Sequence, residues 1–213
     1  MVKGFKLLKV RLLRPWNRFI RRRRLKNKTV TVISNNCWGG FMMKECGMAF
    51  YTPFVGLFMF DDDYIRMLED MNVLSKPLRF ISREQSRHVI TEKKDYPIGV
   101  IGDGIEIHFL HYKSAQEAAE KWAKRVSRID KDNMIVKFGD EDGWREDLMR
   151  RFEALPFDCK VCFTAQEHEG YPSVVRLPYY DNEGSIQRDA YKVTNDYWDF
   201  VDHANALKKT SHA

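Results

Sequence analysis

Long uncharged apolar runs are missing from this sequence, and with them any segment near the roughly 18 residues that a membrane-spanning helix needs. Cysteine is scarce: four in 213 residues are too few for a disulfide scaffold, so free thiols in a reducing compartment are expected. There is no GxGxxG or Walker phosphate loop, no hexapeptide repeat and no GxSxG elbow, which removes the usual signatures of dinucleotide, nucleoside triphosphate, acyl-transfer and hydrolase sites. Internal repeats are absent too. Acidic side chains do not occur at all between Met1 and Lys28. What is present, 44% hydrophobic and 31% charged residues, excludes wholesale disorder and suits one α/β-sized domain.

The charge is divided along the chain. Residues 1–28 hold 12 Lys and Arg, and the remaining 185 residues carry 24 basic against 30 acidic side chains, a net of −6. A basic arm thus precedes an acidic body, and the sequence divides into an arm, 1–28, and an α/β domain, 29–213. Phe5, Leu8, Leu12, Trp16 and Phe19 recur at helical spacing, with Lys6, Lys9, Arg14, Arg18 and Arg21 around the other face and Pro15 interrupting the pattern. Such a segment suits an anionic membrane surface, where each cation adds on the order of 1 kcal/mol. A nucleic-acid patch at Arg21–Arg24 and a solvated tail are the competing readings. Nucleic acid is disfavoured as a partner, because the acidic body repels phosphates and no recognised motif follows. A secretory leader is disfavoured because cations break every apolar run.

In the body, Thr29–Ser34 predicts a strand ending in a turn at Asn35-Asn36, followed by a helix over Phe41–Cys46 that Gly47 can cap. Pro53–Phe60 predicts a strand buried on both faces, with Asp61 as N-cap of a helix over Asp62–Met71. Strands are expected at Leu78–Ser82, Ile98–Ile101 and Ile105–Tyr112, the last two joined by a hairpin at Gly102-Asp103-Gly104. Ser114 with Glu117 predicts a capped helix reaching about Ile129. Strand Met134–Phe138, helix Trp144–Leu155, strand Lys160–Thr164, strand Val174–Leu177 and a helix striped by Tyr197, Val201, Ala204 and Leu207 complete the chain. The alternation predicts a single three-layer α/β domain with a mixed, largely parallel sheet.

Four constellations carry candidate chemistry. Asn35, Asn36, Cys37, Trp38, Gly39 and Gly40 form the first strand-to-helix turn, where α/β domains bind ligands: glycines admit a ligand to the backbone and asparagines can hydrogen-bond a sugar. A tight turn with Trp38 in the core is the structural alternative. His111 and Lys113, near the end of a strand, supply a candidate general base and a cation, whereas His108 is read as structural. Arg125 and Arg128 extend a basic stripe from Lys121 that suits a phosphate or a solvated, ion-paired face. Asp140 and Asp142 match D-x-D, as do Asp61 and Asp63; that pattern holds Mg²⁺ or Mn²⁺ against a nucleotide-sugar diphosphate. No residues are assigned to a defined metal site. Cys159 and Cys162 fall on opposite faces of a strand and are read as free thiols.

The strings TVISNNCWGG, YTPFVGLFMFDDDYI, YPIG, IEIHFLHYKSAQEAAEKWAKR and KVCFT, in this order, resemble a bacterial family of domains of unknown function often labelled exopolysaccharide biosynthesis proteins. The resemblance runs from about Arg21 to Thr164, with a looser tail. It implies one α/β domain and a link to capsule or exopolysaccharide loci, and it carries over no catalytic residues. Together these readings predict a glycosyltransferase-like enzyme, cytoplasmic and peripheral at the inner membrane face, acting on a sugar-containing small molecule or a lipid-linked acceptor. His111, Asp140 and Asp142 are its expected catalytic residues. A sugar acyltransferase and a non-enzymatic adaptor of polysaccharide assembly are the alternatives.

Overall fold

The computed structural model describes residues 14–91, 93–141 and 144–207. Helix α1 (14–24) precedes β1 (Thr31–Ser34), α2 (Trp38–Cys46), α3 (Asp61–Glu69), β2 (Arg79–Ile81), β3 (Ile98–Ile101) and β4 (Ile105–His108). Then come α4 (Ala115–Val126), β5 (Met134–Gly139), α5 (Glu146–Ala154), β6 (Lys160–Thr164), β7 (Val174–Arg176) and α6 (Phe200–Ala206). The fold is α/β. Strands β1-β5-β6-β7 form a parallel sheet, and β2-β3-β4 form a small antiparallel one.

Alternation along the parallel strands sorts side chains onto two cores. Ile33, Val136, Phe138 and Cys162 pack with Tyr64 and Leu68 of α3, Trp122 of α4 and Phe152 of α5. Val32, Ile135, Val161 and Phe163 pack on the other side with Trp38 and Met42 of α2 and Phe200 and Val201 of α6. Each of these large side chains contributes about 1.5–3 kcal/mol by leaving water. The sheet is therefore the middle of three layers, as the alternation predicts.

Local chemistry sets the element ends. Gly47 takes φ 68° after α2, and the amides of Gly47 and Met48 return to the carbonyls of Lys44 and Met43. Ser114 Oγ accepts the Glu117 amide at 3.2 Å and starts α4. The structure departs from sequence expectation in several places, three of them near the pocket's far wall. Pro53–Phe60 is irregular and meets a strand only through the bridge between Phe58 and His108. Phe54, Leu57 and Met59 are buried and Val55, Phe58 and Phe60 half-buried, but the backbone turns instead of extending. Phe60, not Asp61, stands at the N-cap of α3, and Asp61 opens the helix. Strand β4 ends at His108 in the antiparallel sheet, so His111 lies in the turn that follows.

Helix α1 docks against the body through charge. Arg14 and Arg18 share the carboxylate of Glu45, with Nη2–Oε1 distances of 2.6 Å each and Arg18 Nε to Oε2 at 2.7 Å. Burial opposes ionisation of Glu45, but the bonds from Arg18 and Arg14 outweigh it and hold the carboxyl down at about 2. Arg24 adds bonds to Asp199 and Asp202 at 2.8 and 2.7 Å. Trp16 and Phe19 point outward, 63% and 50% exposed. Phe5, Leu8 and Leu12 lie outside the described residues.

Candidate functional site

The carboxyl ends of β1 and β5 open onto a cavity of about 470 Å³, a size suited to a small-molecule ligand. The turn after β1 forms one wall with Asn35, Asn36, Cys37 and Trp38, and Glu141 comes from the turn after β5. Phe58, Phe60 and His111 face them from the irregular segment and the turn after β4, and Arg188, Asp189 and Tyr191 close the site from the chain's last third.

Beneath the cavity runs a continuous polar chain. Lys137, fully buried on β5, donates to Glu141 Oε1 at 2.6 Å and to Asn35 Oδ1 at 3.3 Å. Asn36 Nδ2 reaches the same Glu141 oxygen at 2.6 Å, and Asn35 Nδ2 donates to Asp61 Oδ1 at 3.2 Å. A lysine inside an apolar parallel sheet is tolerable only with such a counter-charge. Glu141 is 13% exposed, and its buried Oε2 has no hydrogen-bond partner among the described residues. That oxygen is itself buried, turned back toward Gly139 behind the cavity wall.

Aromatic rings form the remaining walls. Phe41 and Tyr191 stack at 4.3 Å, and Phe60 stacks on His88 at 4.1 Å. Val89 and Thr91 reach the cavity from a loop anchored on buried Asp63, which binds Arg87, takes His88 Nε2 at 2.7 Å and accepts the Glu106 amide at 3.1 Å. Burial lowers the His88 imidazole below its ordinary value, against the pull of Glu106. Cys37 is half-buried with its Sγ 3.7 Å from the Leu57 carbonyl, and burial pushes its thiol up, so at neutral pH it is no thiolate nucleophile.

Of the residues expected from sequence, Asn35, Asn36, Cys37, Trp38 and His111 are brought together here, with His111 exposed. Trp38 also belongs to the core, its Nε1 3.3 Å from Thr194 Oγ1. The others stand elsewhere. Gly39 and Gly40 lie inside α2, where a Cβ on Gly39 would stand 2.8 Å from Val32 Cγ1 and one on Gly40 would touch Val55. Their smallness lets the helix approach the sheet and the 53–58 segment; it does not admit a ligand. Asp140 accepts the amides of Ala165 and Ile186 at 3.0 and 2.9 Å. It staples the segment leading to Arg188, and burial raises its pKa.

Arg125 bonds the Val55 carbonyl at 3.3 Å and Tyr112 Oη, and Arg128 reaches the Phe50 carbonyl at 3.5 Å. Both bond carbonyls of the 50–57 segment and lie outside the lining of the cavity. Lys113 is exposed, its amide tied to Glu117. Asp142 lies outside the described residues. Among the described residues no three His, Cys, Asp or Glu side chains gather as a metal site. Asp63, one half of the other D-x-D, is committed to Arg87 and His88, and Cys159 and Cys162 are unpaired and pack into different cores.

Sequence reasoning passed over Lys137, Glu141 and the Arg188–Tyr191 segment. A lone lysine within MIVKFG was the available signal for the first, since an apolar strand seldom buries an ammonium without use for it. Glu141 stood between the two aspartates that drew the metal reading.

The class is thus an α/β domain whose parallel sheet ends at a polar-floored, aromatic-walled pocket. The chain belongs to the family described as "Domain of unknown function (DUF1919)", whose model matches residues 9–208. It is similar to an "Uncharacterized protein" of Haemophilus influenzae (strain ATCC 51907 / DSM 11121 / KW20 / Rd), 36% identical over 165 residues that cover 77% of this chain and 75% of that protein. No helix among the described residues is long and apolar enough to cross a membrane.

Proposed function

We propose that this domain transfers a sugar from an activated donor to an acceptor hydroxyl in the assembly of a surface polysaccharide. The observation that carries the reading is Glu141: a carboxylate at the pocket wall, one oxygen held by Lys137 and Asn36 and the other unpartnered among the described residues. Two fixed donors orient such a group, and a small turn of the side chain toward the cavity it lines would bring its unpartnered oxygen to a hydroxyl proton. In the transfer, the acceptor oxygen bonds to the anomeric carbon while the bond from that carbon to the donor phosphate breaks. The nucleoside diphosphate leaves with the electron pair, and the hydroxyl proton passes to Glu141. Asn35 and Asn36 suit sugar hydroxyls, and Phe41, Phe58 and Tyr191 offer faces on which a sugar ring or base can stack.

The polysaccharide context comes from the sequence resemblance. Trp16 and Phe19, exposed beside Arg23, whose guanidinium lies 5.4 Å from the Phe19 ring centre, support a seat on the anionic cytoplasmic membrane face. Lipid-linked acceptors reside there. Acyl transfer from a thioester to a sugar is the second enzymatic reading, because the same carboxylate would serve it.

Thermal shift of the whole chain against nucleotide sugars, acyl-CoA and Mn²⁺ tests the reading, since a ligand of the folded state raises Tm by mass action. At a ligand concentration 100 times Kd the expected gain is about 2.7 kcal/mol. A uridine or guanosine diphosphate sugar should raise Tm by several degrees. A response to acyl-CoA alone would move the assignment to acyl transfer, and no response to either donor class would overturn both.

A further inference from the structure

Beside the pocket, across Tyr191, lies a smaller cleft of about 40 Å³ between α1 and the body, lined by Arg14, Asn17, Arg21, Glu45, Tyr191, Lys192 and Asp196. Its volume holds roughly three waters, too little for a sugar ring and of the order of one phosphate group. The two spaces share a wall. Tyr191 lines both, Arg14 sits 5.9 Å from its ring centre, and Lys192 of the cleft is bonded at 3.1 Å to Asp189 of the pocket.

The cleft carries an excess of cationic donors. Arg14, Asn17 and Arg21 recur at intervals of three and four, so α1 turns one face into it. Arg14 and the adjacent Arg18 share the single carboxylate of Glu45, which stays ionised and neutralises only one of them. Arg21 makes no side-chain hydrogen bond or ion pair among the described residues. Lys192 is paired with Asp189, and Asp196 is the other acid of the lining, so four cations stand against three acids and one positive charge is left over. A guanidinium fork left open, beside a lysine and an asparagine, is suited to phosphate oxygens.

We infer that this cleft binds a phosphate group of the ligand whose remainder occupies the neighbouring pocket, so that the basic arm completes the substrate site. The identity of the ligand as an activated or lipid-linked sugar rests on the proposed transfer; the phosphate site itself does not. Phosphate oxygens at Arg21 and Lys192 would place the cations where charge builds on a departing diphosphate.

The test is titration of the full chain with inorganic pyrophosphate at low ionic strength, followed by calorimetry and thermal shift. Wild type should bind, and the Arg21→Gln/Lys192→Gln pair should weaken binding at least about tenfold. Arg23→Gln, on the exposed side of α1, should leave it unchanged. A parallel arm uses vesicles of phosphatidylcholine with and without phosphatidic acid, with the same variants, to distinguish a lipid headgroup from a soluble phosphate. Loss confined to the cleft pair in either arm supports the site and names the source. Binding by the pair within threefold of wild type in both arms, an equal loss in Arg23→Gln, or no binding by wild type in either arm would overturn it. Glu141→Gln should retain the pyrophosphate response. If that response survives while every nucleotide sugar fails, the cleft stands and the transfer reading falls.

Discussion

Replacing Lys137 by Met is expected to cost about 3–5 kcal/mol, the usual loss when one partner of a buried ion pair is removed. In a domain of this size that corresponds to a fall in Tm of roughly 6–20 °C. The reason is local. Met fills the aliphatic volume of Lys137, which is fully buried, but Glu141 then keeps a largely buried carboxylate whose only close hydrogen bond among the described residues comes from Asn36. Asn35 loses its donor at the same moment. Adding Glu141→Gln to Lys137→Met should recover part of the loss, because the uncompensated charge has gone. Thermal melts of the two single variants and the pair decide the matter. A Lys137→Met protein melting within 2 °C of wild type would mean that the polar chain beneath the pocket holds nothing together.

The second large effect concerns chemistry. Glu141→Gln keeps the side chain's shape and an oxygen for Lys137 and Asn36, but it removes the ability to take a proton and leaves the buried Lys137 ammonium without its counter-charge, so a fall in Tm is expected beside the kinetic effect. Turnover should fall about 10²–10⁴-fold, the range associated with losing a positioned general base, with KM changed little. His111→Ala should cost far less, since His111 is exposed in a turn and holds its place through its backbone amide, 2.9 Å from the Gly56 carbonyl. The measurement is steady-state kinetics with the nucleotide sugar that most raises Tm, normalised to folded protein by a parallel melt. Turnover of Glu141→Gln within threefold of wild type would remove the carboxylate from the mechanism.

Much of the architecture was legible because it depends on short-range signals. The β-branched run before Asn35, the Ser114 cap, the glycine ending α2 and the apolar stretch Lys160–Thr164 each act within a few residues, and the structure places elements at each. Pro53–Phe60 misleads because continuous apolarity reports burial and not backbone shape. In this fold it is irregular chain that bridges to His108 through Phe58, supported by Arg125 on the Val55 carbonyl, with Arg128 on the Phe50 carbonyl just ahead of it. For the same reason the basic stripe of α4 resembled a phosphate clamp: nothing in a helix's own spacing distinguishes a ligand's oxygens from those of a neighbouring segment.

The candidate site was legible only where one short segment contributes several groups. Asn35 to Trp38 form such a segment, and the strand-to-turn position explains why they reach the pocket. Glu141 could not be separated from Asp140 by sequence, because the difference between them is geometric. Asp140 turns back to two amides, whereas Glu141 reaches Lys137, four residues earlier on the strand. Arg188 and Asp189 lie in a turn and Tyr191 in the 3₁₀ helix after it, without periodicity; the Asp140 bond to the Ile186 amide, the Tyr180 Oη bond to Asp189 and the stack of Tyr191 on Phe41 hold them in place.

Cys37 gives the most direct test of the pocket as the ligand site, because it lines that cavity while Cys159, similarly half-buried, lies at the amino end of β6. Alkylation of both thiols by iodoacetamide at alkaline pH can be followed by mass spectrometry, with and without a saturating nucleotide sugar. Modification of Cys37 should slow several-fold while Cys159 reacts at its former rate. A ligand that raises Tm yet leaves the Cys37 rate unchanged would contradict the account, since binding would then occur somewhere other than at the carboxyl ends of β1 and β5.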